Sequence, residues 1–359
     1  MRVEVFMQST FRERERDVLR HLYNGIKKDL APVDLNPQII KTMKNFNKAK
    51  RLSNGVELNY DERGRGKYDL GVIFGSWKPN RKNLHHSVRC AVAENDKNFL
   101  CIETQLLGRK IFHESQYHRI GIDGFLNKAA TFGLDKSYPN DRFVKLNLPY
   151  NGWKKKRGDK VVVALQLPGD ASLREMDINE WAIWTITKLR EETDRPIEVR
   201  LHPGVSQKGV DAHLQLMQWH ALSNLTNISF VKGDQLPWEE HILDAHCVVA
   251  FTSGLSIDAV LNGIPVIACD QGNFAWSISS NDVGEVEDPF IANETIVQDW
   301  LNTLAYSQWS KEEMESGEAW DHLKPAVEQV IQDEIESTKN ESSELSEGDT
   351  GKKQKSRKT

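Results

Sequence analysis

Three short segments in the second half of the sequence combine side chains suited to holding an anion. Arg200-Leu201-His202-Pro203-Gly204 closes the apolar run IEVRL (197–201), and Thr252-Ser253-Gly254-Leu255-Ser256 follows CVVAF (247–251). The third, with Gln166, Gly169, Asp170 and Ser172, follows VVVALQLP (161–168). A Thr-Ser-Gly loop that opens a helix offers backbone N–H groups and hydroxyls, which suits a diphosphate. The helix dipole adds roughly 0.3–1 kcal/mol there. A charge-assisted hydrogen bond from Arg200 would add about 1.5–3 kcal/mol, so Arg200 is expected to contribute more than the dipole. Asp258 falls in the first turns of the same helix and could simply complement its dipole. Each motif also has a plain reading, as a helix N-cap or a surface turn. Their conjunction at successive strand ends favours a ligand site, because open parallel sheets bind ligands beyond the carboxyl ends of their strands.

The elements that position these residues can be read from periodicity. After VVVALQLP comes a helix with Ile178, Trp181 and Leu189 at helical spacing, then IEVRL, a helix near 209–222 and the strand ISFV (228–231). A helix at about 237–246, CVVAF, a helix LSIDAVLNG with a glycine C-cap and the strand PVIAC (265–269) complete the series. Strands alternating with helices imply a parallel, doubly wound sheet. The first half repeats the theme. VEVFM (3–7), YDLGVIFG (68–75), NFLCIE (98–103) and YHRIGID (117–123) read as strands, with helices at Thr10–Leu30 and about 80–94. The first of these helices sets Leu19, Leu22, Tyr23 and Ile26 on one face. The expected fold is α/β, with two Rossmann-like doubly wound domains at 1–150 and 158–293 and an interdomain cleft. Helices at 294–337 follow, then a Ser/Glu/Lys-rich, aromatic-free tail at 338–359 that is expected to be disordered.

Composition narrows the function classes. With 39% hydrophobic and 28% charged residues the chain reads as a soluble globular protein. It has no apolar stretch of membrane-spanning length, so no membrane anchor is expected. Its N-terminus lacks the apolar core of a secretory signal, and the expected compartment is the cytoplasm. Cys90, Cys101, Cys247 and Cys269 show no paired spacing; the last three lie in apolar runs and read as buried structural thiols. A net charge of −5 argues against a wholesale polyanion binder, yet basic clusters stand at Arg12/Arg14/Arg16, Lys41 to Arg51, Lys154 to Arg157 and Lys352 to Lys358. There is no G-x-x-x-x-G-K-[ST], since Gly75-Ser76-Trp77-Lys78 has the wrong spacing, and no G-x-G-x-x-G after a strand. No Asp-x-Asp and no zinc-ligand spacing occur, so no metal ligand is assigned.

The block from Val161 to Cys269 resembles the donor domain of two-domain (GT-B) glycosyltransferases, in particular the capsule-polysaccharide and Kdo-type branch. The resemblance rests on Arg200-Leu201-His202-Pro203, matching (K/R)-x-HP, and on Ser253 to Val266, matching S-S/T-x-x-x-(D/E)-A-x-x-x-G-x-P-V. It implies that the HP motif and the serine-rich helix start hold a nucleotide diphosphate, with Asp258 on the ribose or sugar hydroxyls. The donor residues so implied are Gln166, Gly169, Asp170, Arg200, His202, Thr252, Ser253, Gly254, Ser256 and Asp258. A UDP-sugar is the expected donor substrate; no cofactor is required, and a divalent metal is left open. GSWK, ETQLLGR, YHRIGIDGFLN and LQLPGDAS look like phrases of glycosyltransferase-like proteins from phages that hypermodify DNA. That similarity implies double-stranded DNA bearing 5-hydroxymethylpyrimidine as the acceptor, with Ser76, Lys78, Arg109 and Arg119 on the acceptor side. In this fold the general base comes from the N-terminal domain. Glu103 at the end of FLCIE is the first choice, although it could equally cap the next turn, and Asp123 at the end of YHRIGID is the second. A polysaccharide transferase, a nucleotide-sugar epimerase and a non-catalytic nucleic-acid-binding protein are the rival readings.

Overall fold

β1 (Val3–Val5), β2 (Leu70–Phe74) and β3 (Asn98–Thr104) are the apolar runs of the first half, and they pair in parallel. The computed structural model describes residues 1, 3–8, 12–29, 39–40, 51–52, 55–56, 68–75, 89, 92–93, 98–113, 116–131, 137–205 and 225–353. Ser76, Lys78, Cys90, most of the helix expected at 80–94, the helix expected at 209–222 and most of the cluster from Lys41 lie outside the described residues. β4 (Tyr117–Ile122) runs antiparallel to β3, so the first sheet is mixed and not wholly parallel. The described residues between β3 and β4 form turns and no helix, and a parallel return needs a crossover, usually helical. α1 (Glu13–Asp29) buries Val18, Leu19, Leu22 and Ile26 in a core shared with β1 to β4. Two short helices, α2 (Asn127–Thr131) and α3 (Asp141–Leu146), follow.

The second sheet contains β5 (Lys160–Ala164), β6 (Ile197–Leu201), β7 (Ile228–Lys232), β8 (Ala245–Ala250) and β9 (Val266–Ala268), all parallel. Its helices are α4 (Ile178–Glu192), α5 (Trp238–Ile242) and α6 (Leu255–Leu261). A strand with no polar alternation must be covered on both faces. Val161 and Val163 accordingly pack with Trp181, Ile186 and Leu189 of α4, while Val162 and Ala164 pack with Ile257 and Val260 of α6. Spatial order is β7-β6-β5-β8-β9, so the winding reverses between β5 and β8. A crevice for ligand lies outside the carboxyl ends of strands at such a reversal. The expected α/β class and the strands of this half hold.

The C-terminal segment divides between the two halves. α7 (Glu294–Tyr306) buries Val297, Trp300, Leu301 and Leu304 in the core that contains β5 and β8. β10 (Gln308–Ser310), in a stretch expected to be helical, then adds antiparallel to β4. α8 (Lys311–Ser316) and α9 (Glu318–Lys353) put Met314, Trp320 and Leu323 into the N-terminal core. Where α1 meets α8, a Cβ on Gly25 would stand 2.0 Å from the Met314 carbonyl oxygen, so only glycine fits. α9 continues as helix to Lys353, through much of the segment from Thr338 that was expected to be disordered. Glu and Lys are good helix formers.

One buried ion pair fastens this return. Arg142 of α3 grips Glu313 with two hydrogen bonds, at 3.1 and 3.0 Å, and donates to the carbonyls of Ala305 and Gln308 at 3.1 and 2.8 Å. Its guanidinium stacks 3.8 Å from the Trp309 ring centre. Cys101 and Cys247 are buried free thiols and Cys269 is half-buried; burial raises the pKa of all three.

Candidate functional site

The loop after β5 is shaped by Pro168-Gly169. Asp170 N–H donates to the Leu167 carbonyl at 3.0 Å, and Gly169 takes φ of +66°, the proline–glycine arrangement of a type II turn. Asp170 then caps the next turn by accepting from the Ser172 N–H at 2.9 Å and the Ser172 hydroxyl at 2.7 Å. Gln166 reaches across the sheet reversal. Its Oε1 accepts from the Thr252 N–H at 3.0 Å, and its Nε2 donates to Ser172 Oγ at 2.6 Å and Thr252 Oγ1 at 3.0 Å. Gln166 and Thr252 are both buried and latch the two loops to each other. Their polar groups shape the crevice and are not spare for a ligand.

The loop after β8 is only partly available. Ser256 is fully buried, and its Oγ accepts from Asn273 Nδ2 at 2.9 Å. Asn273 also donates to the Phe251 carbonyl at 2.9 Å, so this amide, which sequence patterning did not single out, fixes the start of α6. Ser253 Oγ accepts from the Leu255 N–H at 3.3 Å. The N–H groups of Ser253 and Gly254 have no protein partner among the described residues.

Arg200 is buried, 6% exposed. It shares a face of β6 with Glu198, since strand side chains alternate with period two. Its Nη2 donates to the carbonyls of Gly233 and Leu236 at 3.1 and 2.9 Å, and its Nη1 to His241 Nδ1 at 3.2 Å. A guanidinium cannot accept, so Nδ1 is the bare nitrogen and His241 Nε2–H donates to Glu198 Oε2 at 2.7 Å. Burial lowers the His241 pKa, in keeping with this neutral tautomer. Three of the donors of Arg200, expected to hold a diphosphate, thus brace the turn after β7 and His241. His202, two residues on, is half-buried at the strand end, and its Nδ1 accepts from the Gly204 N–H at 3.0 Å. Its pKa is lowered by burial, with Asp170 and Arg109 close enough to act on it.

Arg109, assigned to the acceptor side on sequence, reaches the end of β8. Buried Gln308 of β10 accepts from the N–H groups of Leu106 and Leu107 at 2.9 and 2.8 Å and so places the loop that carries it. Arg109 pairs with Asp258, and a Cβ on Gly254 would lie 2.7 Å from its Nη1. Asp258 is 4% exposed against 38% for Arg109; burial raises the Asp258 pKa while the arginine pulls it down. A cavity of about 470 Å³ opens beside this pair, with Lys110, Trp153, Trp238 and Asn262 on its walls. Lys110 pairs with Glu239 and lies 5.6 Å from the Trp238 ring centre. The Trp238 signal was present in the sequence, as an aromatic that opens a helix between two strands of the second half.

The two candidate bases separate. Glu103 stands near the carboxyl end of β3, half-buried and opposite Arg119 in the ladder, with its Oε2 accepting from the Thr104 N–H at 3.1 Å. The plainer role as a turn cap is thus present, and the carboxylate lies on the same sheet edge as the Arg109 loop. Arg119 donates to the carbonyls of Phe125 and Thr104 at 3.1 and 2.8 Å and lies 5.7 Å from the Phe274 ring centre, at the meeting of the two halves. Asp123 is at the opposite end. It accepts from the Phe99 N–H at 2.8 Å, at the start of β3, because β4 runs antiparallel. The choice of Asp123 as a cleft base is overturned by strand direction.

No protein-family model matches the sequence, and no curated protein does. Among solved structures, the chain is similar to KpsC of Thermosulfurimonas dismutans, a beta Kdo 2,7 transferase, at 11% identity over 88% of this chain and 98% of that one, with a TM-score of 0.45. It is also similar to UDP-GlcNAc 2-epimerase of Methanocaldococcus jannaschii, at 11% identity over 90% and 99% of the two chains, with a TM-score of 0.28. The wall teichoic acid polymerase TagF matches at 10% identity over 93% and 90%, with a TM-score of 0.24. No described helix is long and apolar enough to cross a membrane.

Proposed function

We propose that the protein is a two-domain (GT-B) glycosyltransferase that takes its sugar from a nucleoside diphosphate. The observation that carries this reading is the cavity walled by the loop of Arg109 from the first half and by Trp238 and Asp258 from the second. A guanidinium suits the diphosphate, an indole suits the base, and a carboxylate suits the ribose hydroxyls. At the end of β8, next to Arg109, the N–H groups of Ser253 and Gly254 offer further donors to a phosphate.

Transfer requires the acceptor hydroxyl oxygen to bond to the anomeric carbon while the bond from that carbon to the phosphate oxygen breaks. The hydroxyl proton passes to a base, in this reading Glu103 of the N-terminal half, and the negative charge develops on the diphosphate. DNA bearing 5-hydroxymethylpyrimidine is the acceptor implied by the sequence resemblance. Arg119 is committed to backbone carbonyls, so it supports the cleft more than a duplex.

The test is turnover of several nucleotide sugars, UDP-sugars first, with hydroxymethylated duplex DNA, with oligosaccharides and with no acceptor. Acceptor-dependent release of nucleoside diphosphate, with a mass gain on the acceptor, supports the reading and names the acceptor class. Release of an isomerised sugar without acceptor would replace it with epimerisation. Failure of every nucleotide sugar to bind would sink it.

A further inference from the structure

We infer that Arg109 is the phosphate-binding cation of this cleft, and that Asp258 is its resting partner, displaced when the anion arrives. The inference rests on the nucleotide-sugar reading and deepens it, by moving Arg109 from the acceptor side to the donor and by giving Asp258 two successive partners.

Arg200 is less suited, because it is 6% exposed and already gives three hydrogen bonds, to Gly233, Leu236 and His241. The other cations on the cavity wall are paired along that wall: Lys110 with Glu239, and Lys154 with the Leu243 carbonyl. Arg109 differs in both geometry and partner. A guanidinium has five N–H donors, and the one hydrogen bond of Arg109 among the described residues goes to Asp258. It is more than a third exposed, so an incoming ligand can reach it, whereas Asp258 is almost fully buried. It lies against Gly254, at the end of β8, and its charge is felt by His202 after β6 and by Arg119 of β4. Arg109 therefore faces the ends of strands from both halves.

The exchange follows from the charges involved. A buried carboxylate needs a partner, and Arg109 supplies it. A diphosphate brings more charge and a bidentate acceptor edge, so it competes for the same guanidinium. Once released, the Asp258 carboxylate can accept from ribose hydroxyls, which replace the lost hydrogen bond. An anion without a ribose must displace Asp258 with no such compensation.

That asymmetry gives the test. Binding of inorganic pyrophosphate and of UDP is measured by calorimetry to the wild type, Asp258→Asn and the double variant Arg109→Gln/Asp258→Asn. The single Arg109→Gln would strand a buried carboxylate and could fail to fold, whereas the double variant removes both charges. Asp258→Asn is expected to bind pyrophosphate about tenfold tighter than the wild type, since the competing charge is gone, and the double variant to lose at least about tenfold. UDP should gain less than pyrophosphate in Asp258→Asn, because the ribose loses its carboxylate. Equal pyrophosphate affinity in Asp258→Asn and in the double variant would overturn the inference while leaving the donor reading intact. UDP binding to none of the proteins would overturn both.

Discussion

Glu103 and Asp123 stand at opposite ends of one antiparallel strand pair: Glu103 faces Arg119 across the ladder, and Asp123 accepts the Phe99 N–H at 2.8 Å where β3 begins. Only Glu103 is on the edge that meets the second half. Glu103→Gln should lower kcat for sugar transfer by about 10²–10⁴-fold with donor affinity retained, the usual weight of a general base. Asp123→Asn should leave kcat within about twofold, since Asn tolerates positive φ and can still accept the same N–H. Steady-state kinetics beside UDP titration check both. A full loss in Asp123→Asn with the fold intact would refute the assignment.

Arg200→Ala should act on stability more than on binding. It leaves the carbonyls of Gly233 and Leu236 and the Nδ1 of His241 without their donor, for a cost of about 2–4 kcal/mol. Chemical denaturation measures that loss, and UDP affinity of the folded fraction should be unchanged. A stable Arg200→Ala protein that had lost UDP would return Arg200 to the donor site.

The Arg142–Glu313 clamp should make the protein acid-labile. Burial pushes the Glu313 pKa up, but its hydrogen bonds to Arg142 and Lys145 outweigh this and hold it below its ordinary value. A lowered folded pKa stabilises the fold above the unfolded value, about 4.3, and that stability is lost as pH falls through the folded value. Glu313→Gln should flatten this acid limb, seen as a smaller drop in denaturation midpoint between neutral pH and the acid range. It should also cost about 1–3 kcal/mol at neutral pH, because buried Arg142 loses its closest charge partner and keeps only Glu318, at 3.5 Å.

Two glycines should respond differently to alanine. Gly25→Ala drives a Cβ into the Met314 carbonyl oxygen, and backbone cannot step aside without parting α1 from α8. A loss of roughly 3 kcal/mol or more, the upper end for overpacking, is expected. Gly169→Ala meets open space, so only its positive φ opposes the change, at about 1–2 kcal/mol. Thermal denaturation of the pair, with UDP affinity measured for Gly169→Ala, separates clash from strain.

Much of the framework was legible because it is local. IEVRL is β6 at both ends, and the apolar runs at 161–164 and 245–250 form the centre of the second sheet, since side-chain periodicity and continuous apolarity depend only on neighbours along the chain. The strand-end loops with Gly169, Asp170, His202 and Thr252 to Gly254 were identifiable for the same reason. Only the tertiary structure decided the direction of β4, which removed Asp123 from the cleft, and the face toward which Arg200 points. It also decided that β10 and α8 return to the first half, where Gln308 places the loop of Arg109. Those outcomes depend on pairings between segments far apart in the chain, and local pattern carries no information about which distant donor will meet which acceptor.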